Sequence, residues 1–83
     1  MKKLSIYYTE NTNQYEVSLF DLNHSDITVF NQSELTYNEL ISTIETLITE
    51  YNLSSDTIIT SYIFDSNGFT KQTHKETLGQ FIA

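Results

Sequence analysis

The spacing of apolar residues changes period along this chain, and that change limits the folds open to it more than any other feature. Over residues 4–9, Leu4, Ile6 and Tyr8 alternate with Ser5, Tyr7 and Thr9. Over residues 15–22, Tyr15, Val17 and Leu19 alternate with Glu16, Ser18 and Phe20. A period of two marks a strand with one buried face. The polar run over 11–14 joins the two segments into a β-hairpin. Residues 23–26 give a second turn signal, and the β-branched and aromatic residues 27–30 predict a short third strand.

The period then becomes helical. Leu40, Ile41, Ile44, Leu47, Ile48 and Tyr51 form one stripe, with Asn38, Ser42, Thr43, Glu45, Thr46 and Thr49 opposite. Thr36 with Glu39 three residues later is a capping box, so a helix is expected over about residues 36–52. Its Thr and Ile residues are weak helix formers, so it should depend on packing. Residues 57–64 read as a strand and Asn67-Gly68 as a tight hairpin turn with positive φ angles. Residues 69–72 return as the partner strand. Thr73 with Glu76 is a second capping-box pattern, followed by Leu78, Phe81 and Ile82 on one side of a short C-terminal helix that Gly79 weakens.

The order ββ(β)αββ(α) predicts an α+β fold. A four- to five-stranded, mainly antiparallel sheet carries one main helix across one face, with the short helix at the end. A β-grasp-like arrangement fits the same order. The 83 residues make one domain, 1–83. A chain of this size buries only about 60–65% of its unfolded surface, which leaves room for one modest core and no deep substrate cleft.

Several chemistries fall away. The chain has no cysteine, which excludes disulfides, thiolate zinc sites and cysteine nucleophiles. Small secreted domains lean on such staples, so a cytoplasmic location is expected. No apolar stretch follows Lys2-Lys3 as a signal peptide would need, and no run is long enough to span a membrane. His24 and His74 sit in no recognisable motif, so no catalytic residue and no enzyme activity are expected. Asp21, Asn23 and Ser25 alternate like the opening of a calcium loop. However, Asp26 stands where glycine belongs and Gln32 where glutamate belongs, so no metal site is expected. Neither Gly68 nor Gly79 sits in a phosphate-binding loop, so no cofactor is expected.

Charge is the remaining signal. The net charge is −7, and the only cations are Lys2, Lys3, Lys71 and Lys75. Between Leu4 and Thr70 there are ten acids and no Lys or Arg. Direct contact with nucleic acid or an anionic membrane is disfavoured, because phosphates need basic partners. Such a stretch cannot offset its own repulsion by local pairing. Alternate strand residues lie about 6.5–7 Å apart, and residues four apart on a helix about 5–6 Å. Both are comparable with phosphate spacing along a nucleic-acid strand. The candidate partner-binding residues are therefore Glu16, Asp21, Glu34, Glu39, Glu45 and Glu50, with Asp56 and Asp65 at the rim. Among the aromatics, Tyr8, Tyr15, Tyr51, Tyr62, Phe64 and Phe81 fit core or core-edge positions. Tyr7 and Phe20 lie on the less apolar faces of their strands. Two readings of them stay open: an exposed aromatic contact surface, or a sheet whose second face is covered by the C-terminal helix.

In size, acidity, lack of Cys and Pro, and its Asn/Ile/Tyr/Thr-rich segments, the chain resembles small anti-defence proteins of phages and mobile elements. These are the anti-CRISPR and anti-restriction inhibitors, several of which mimic nucleic acid. The resemblance lies in overall character and assigns no residue a role. It implies a stoichiometric inhibitor whose acidic face blocks a basic nucleic-acid-handling protein, such as a CRISPR effector or restriction complex. The alternative is a structural or adaptor module that associates, with itself included, through a sheet edge or through Tyr7 and Phe20.

Overall fold

The computed structural model describes residues 1–24 and 27–82. Its elements are β1 (Lys2–Thr9), β2 (Gln14–Asp21), a single 3₁₀ turn (Leu22–His24), β3 (Ile27–Leu35), α1 (Tyr37–Tyr51), β4 (Ile58–Phe64), β5 (Thr70–Thr77) and α2 (Leu78–Ile82). Ser25 and Asp26, the second half of the predicted turn, lie outside the described residues, as does the side chain of His24.

The five strands form one sheet in the order β3-β2-β1-β4-β5. β1 pairs with β4 in parallel, and every other pairing is antiparallel. The α+β class and the element order expected from the sequence are those observed. The β-grasp comparison does not carry through: in that arrangement the last strand returns beside β1, whereas here β4, the first strand after the helix, takes that place.

The alternating segments behave as their period demands. Leu4 and Ile6 of β1, Val17 and Leu19 of β2, and Ile59 of β4 point to one side of the sheet and are buried. Leu40, Ile44 and Leu47 of α1 cover them, with Leu35 and Leu78 completing the cluster. Thr36 caps α1 as the sequence predicts: Glu39 N–H donates to Thr36 Oγ1 at 3.2 Å, and Thr36 N–H donates to Glu39 Oε1 at 2.9 Å. Asn52 ends the helix in the left-handed region, with φ 52°.

Three expectations change. The strand predicted over 27–30 continues to Leu35, and the strand predicted over 69–72 continues to Thr77. Thr73, His74 and Glu76 are therefore strand residues, and the capping box sits four positions later. There, Gln80 N–H donates to Thr77 Oγ1 at 3.2 Å, and Thr77 N–H donates to Gln80 Oε1 at 2.9 Å. The β4–β5 turn also differs. Asp65 pairs with Phe69, and Gly68 N–H donates to the Asp65 carbonyl at 3.0 Å. Only Gly68 is left-handed, at φ 86°, so this is a three-residue loop with a glycine closing it, not a turn with two positive φ angles.

Both helices lie on the same side of the sheet. α2 docks through Leu78 and Phe81, which join the cluster built around α1. Its first turn is tied to the α1–β4 loop: Leu78 N–H donates to the Thr57 carbonyl at 2.7 Å and Gly79 N–H to the Ser55 carbonyl at 2.9 Å. A Cβ at Gly79 would meet Ser55 Cβ at 3.2 Å, so close backbone approach explains a residue the helix itself disfavours. The second face of the sheet carries no helix among the described residues. Of the two readings of Tyr7 and Phe20, the covered one is therefore set aside.

Candidate functional site: a polarised charge distribution

The acidic residues singled out in the sequence do not form one continuous face. Glu39, Glu45 and Glu50 project from α1 and are exposed. Glu39 and Glu50 are eleven residues apart, which places them on nearly the same side of the helix and about 16 Å apart along it. Glu45 lies on the other flank. Exposed Asp56 follows in the loop after α1. No lysine lies on α1, and among the described residues no ion pair involves it. Between these glutamates, Thr43, Thr46 and Thr49 donate their hydroxyls to the carbonyls of Glu39, Ser42 and Glu45 at 2.8, 3.1 and 3.3 Å. The hydroxyls are thus held by the helix, as is the capping Glu39 carboxylate, and Glu45 and Glu50 are the carboxylates it presents outward.

Glu16 and Glu34 lie on the sheet, with Glu34 five residues before Glu39, where β3 leads into α1. Glu16 lies on the uncovered face of β2, directly beside Tyr7 of β1, and accepts a hydrogen bond from Asn31 Nδ2 at 2.8 Å. Glu34 is exposed on β3 near its end, with a left-handed φ of 60°. The two line a shallow recess with Tyr7 and Thr9. Asp21 and Asp65 have local roles. Asp21 Oδ1 accepts from Asn23 N–H at 3.0 Å. Asp65 Oδ1 accepts from Asn67 N–H at 2.9 Å and Phe69 N–H at 3.0 Å, which makes it the organiser of the β4–β5 turn.

The cations gather elsewhere. Lys71 pairs with Glu10 at 2.9 Å across β5 and the β1–β2 loop, and that hydrogen bond raises its pKa above the ordinary value. Lys2, Lys3 and Lys75 line one recess on the uncovered side, with Ile58 and Tyr62 in its floor. Lys3 Nζ lies 5.5 Å from the centre of the Phe20 ring, within cation–π range. Sequence reading could not find this convergence, because Lys2 and Lys3 lie some seventy residues from Lys75. The β1–β4–β5 pairing brings them together.

The aromatics correct one further expectation. Tyr62 and Phe64 stand on the uncovered face with Tyr7, not at the core edge. The three rings are nearly parallel, with centroids 5.2, 6.1 and 6.4 Å apart. Tyr8 and Tyr15 remain on the helix side, tilted against each other at 4.7 Å. Partial burial, then the nearby Tyr8 and Tyr37, raise the Tyr15 pKa above its ordinary 10.0.

A groove between α1 and α2 is lined by Tyr37, Ile41, Phe81 and Ile82, with Glu45 as its only carboxylate among the described residues. It offers no converging acid, base and nucleophile. Among the described residues no group of three or more His, Asp or Glu side chains is placed to hold a metal ion. No described helix is long and apolar enough to cross a membrane. No family model, no curated protein and no solved structure matches the chain.

Proposed function

We propose that the protein is a stoichiometric inhibitor of the anti-CRISPR or anti-restriction type, acting in the cytoplasm. It lays the acidic outer surface of α1 into a basic, nucleic-acid-binding groove on another protein and so mimics nucleic acid. The observation that supports this is α1 itself, which presents Glu45 and Glu50 outward beside the capping Glu39, with no lysine on the helix and, among the described residues, no ion pair to it. Asp56 extends the acidic surface beyond the helix end. Charge of one sign left unpaired on a rigid element steers a cationic partner and speeds encounter. Asp21 and Asp65 are left out of the surface, because their carboxylates organise local turns.

The test uses purified nucleic-acid-handling complexes, CRISPR effectors and restriction enzymes, each loaded with labelled DNA. The expected result is displacement of DNA at one inhibitor per complex by one of them. A Glu45→Gln/Glu50→Gln variant should associate more slowly, and the dependence of binding on salt should flatten. Displacement that ignores both the substitutions and the salt would sink the electrostatic mechanism. Failure to displace DNA from any of the complexes would sink the assigned partner class.

A further inference from the structure

We propose that the uncovered face of the sheet is a self-complementary surface, and that its occupant is a second copy of this chain related by a two-fold axis. The inference is separate from the inhibitor reading, because α1 lies on the other side of the sheet and stays free in such a dimer.

The face has an apolar centre. Tyr7, Tyr62 and Phe64 form the parallel ring cluster described above, and Phe20 and Ile58 extend it toward the start of β1. All five side chains are only half-buried in the single chain. Neither helix covers them. A contiguous aromatic patch left partly accessible on an uncovered sheet face fits a contact surface, because aromatic residues are enriched where proteins meet.

Charge at the two ends of the patch decides what covers it. The pairing registers place Lys3 opposite Phe20 and Ile58, at the start of β1. Lys75 pairs with Thr60, two residues before Tyr62. Glu16 sits beside Tyr7 on β2, and Glu34 lies beyond it on β3. The basic corner and the acidic corner therefore lie on opposite sides of the aromatic cluster. An in-plane two-fold axis through that cluster lays each basic corner on the partner's acidic corner and stacks the apolar centres. Competing occupants satisfy less of the surface. A nucleic acid would meet lysines at one corner only and two carboxylates at the other. A basic protein would meet the lysines. A small anion would leave the aromatic cluster open.

The size is adequate for a reversible dimer. Five strands about 4.8 Å apart and some seven residues of about 3.3 Å give roughly 550 Å² per face. That is roughly 1,100 Å² in total, at the low end for specific interfaces, so the dimer should form and dissociate with concentration.

Charge reversal tests this by sedimentation of the full chain over a range of concentrations. The parent is expected to pass from monomer to dimer. Lys3→Glu/Lys75→Glu makes both corners acidic, and Glu16→Lys/Glu34→Lys makes both basic, so each variant alone should be monomeric. Mixed one to one, the two should form a heterodimer. A parent that stays monomeric at the highest concentration overturns the proposal. So do variants that dimerise like the parent, or a mixture that stays monomeric while circular dichroism shows both proteins folded. A second measurement needs no variant: concentration-dependent amide shifts in the parent should map to β1, β4 and the centre of β2. Shifts confined to α1 would overturn the proposal as well.

Discussion

The acidity of α1 comes at a cost in stability, and Thr49→Lys measures it. Thr49 is exposed in the last turn of a helix that carries no basic residue there. A lysine at that position would stand four residues after Glu45, the favourable order for a helical pair, worth about 0.3–0.5 kcal/mol at the surface. It would also complement the negative end of the helix, worth about 0.3–1 kcal/mol. Lysine is the better helix former by roughly 0.3 kcal/mol. The hydroxyl it replaces donates to the Glu45 carbonyl at 3.3 Å in an exposed position, so little is lost. The sum is a gain of about 0.9–1.8 kcal/mol, or a Tm rise of roughly 4–14 °C for a domain of this size. Thr49→Gln is the control, because Gln and Lys have nearly equal helix propensity. Thermal unfolding followed by circular dichroism at low salt should place the Lys variant above the Gln variant by about 1 kcal/mol. In about 1 M salt, where the Debye length falls to about 3 Å, the two should converge. Equal stabilities at low salt would refute the reasoning, since the helix would then bear no unrelieved electrostatic cost.

Two further outcomes follow from the geometry. Gly68 closes the β4–β5 loop at φ 86° with nothing near its Cβ position, so Gly68→Ala should cost about 1–2 kcal/mol from backbone strain alone, read as a lower denaturant midpoint with unchanged slope. Tyr15 holds its proton above pH 10.0 in the folded protein but ionises near 10.0 when unfolded, so its contribution to stability is whole below pH 10.0 and drains away as pH climbs through the raised value. Tyr15→Phe should therefore lose less stability than the parent as pH rises above 10.0, and parallel pH profiles would contradict the assignment.

The elements legible in the sequence were those with one buried face. Leu4, Ile6, Val17 and Leu19 alternate because the core lies on one side of them, and Leu40, Ile44 and Leu47 repeat at helical spacing for the same reason. The missed lengths of β3 and β5 belong to the edges of the sheet. Asn31 to Glu34, and Thr70 to Lys75, are exposed on both sides, so no alternation survives to be read. Their polar residues also read as loop or helix start, and Lys71 and Lys75 are the charges that keep an edge strand from pairing further. The acids were legible as residues but not as a surface. Whether a carboxylate faces a partner or caps a turn, as Asp65 does, depends on backbone geometry that spacing does not carry. Tyr62 and Phe64 fit a core-edge place by sequence alone. The strand register sends them to the other face.

The parallel pairing of β1 with β4 also shapes how the chain reaches this fold. The β1–β2–β3 meander and the β4–β5 hairpin each join neighbours in sequence. The central seam joins Lys3 to Ile58 and Thr9 to Phe64, so it closes only when some 55 residues have been gathered between them. Loop closure of that length must be met before the contacts reward it, and non-local pairing slows folding. The meander, the hairpin and α1 should therefore be early and cheap, and the seam late and rate-limiting. Because the seam also carries Leu4 against Ile59, the centre of the core is sealed last.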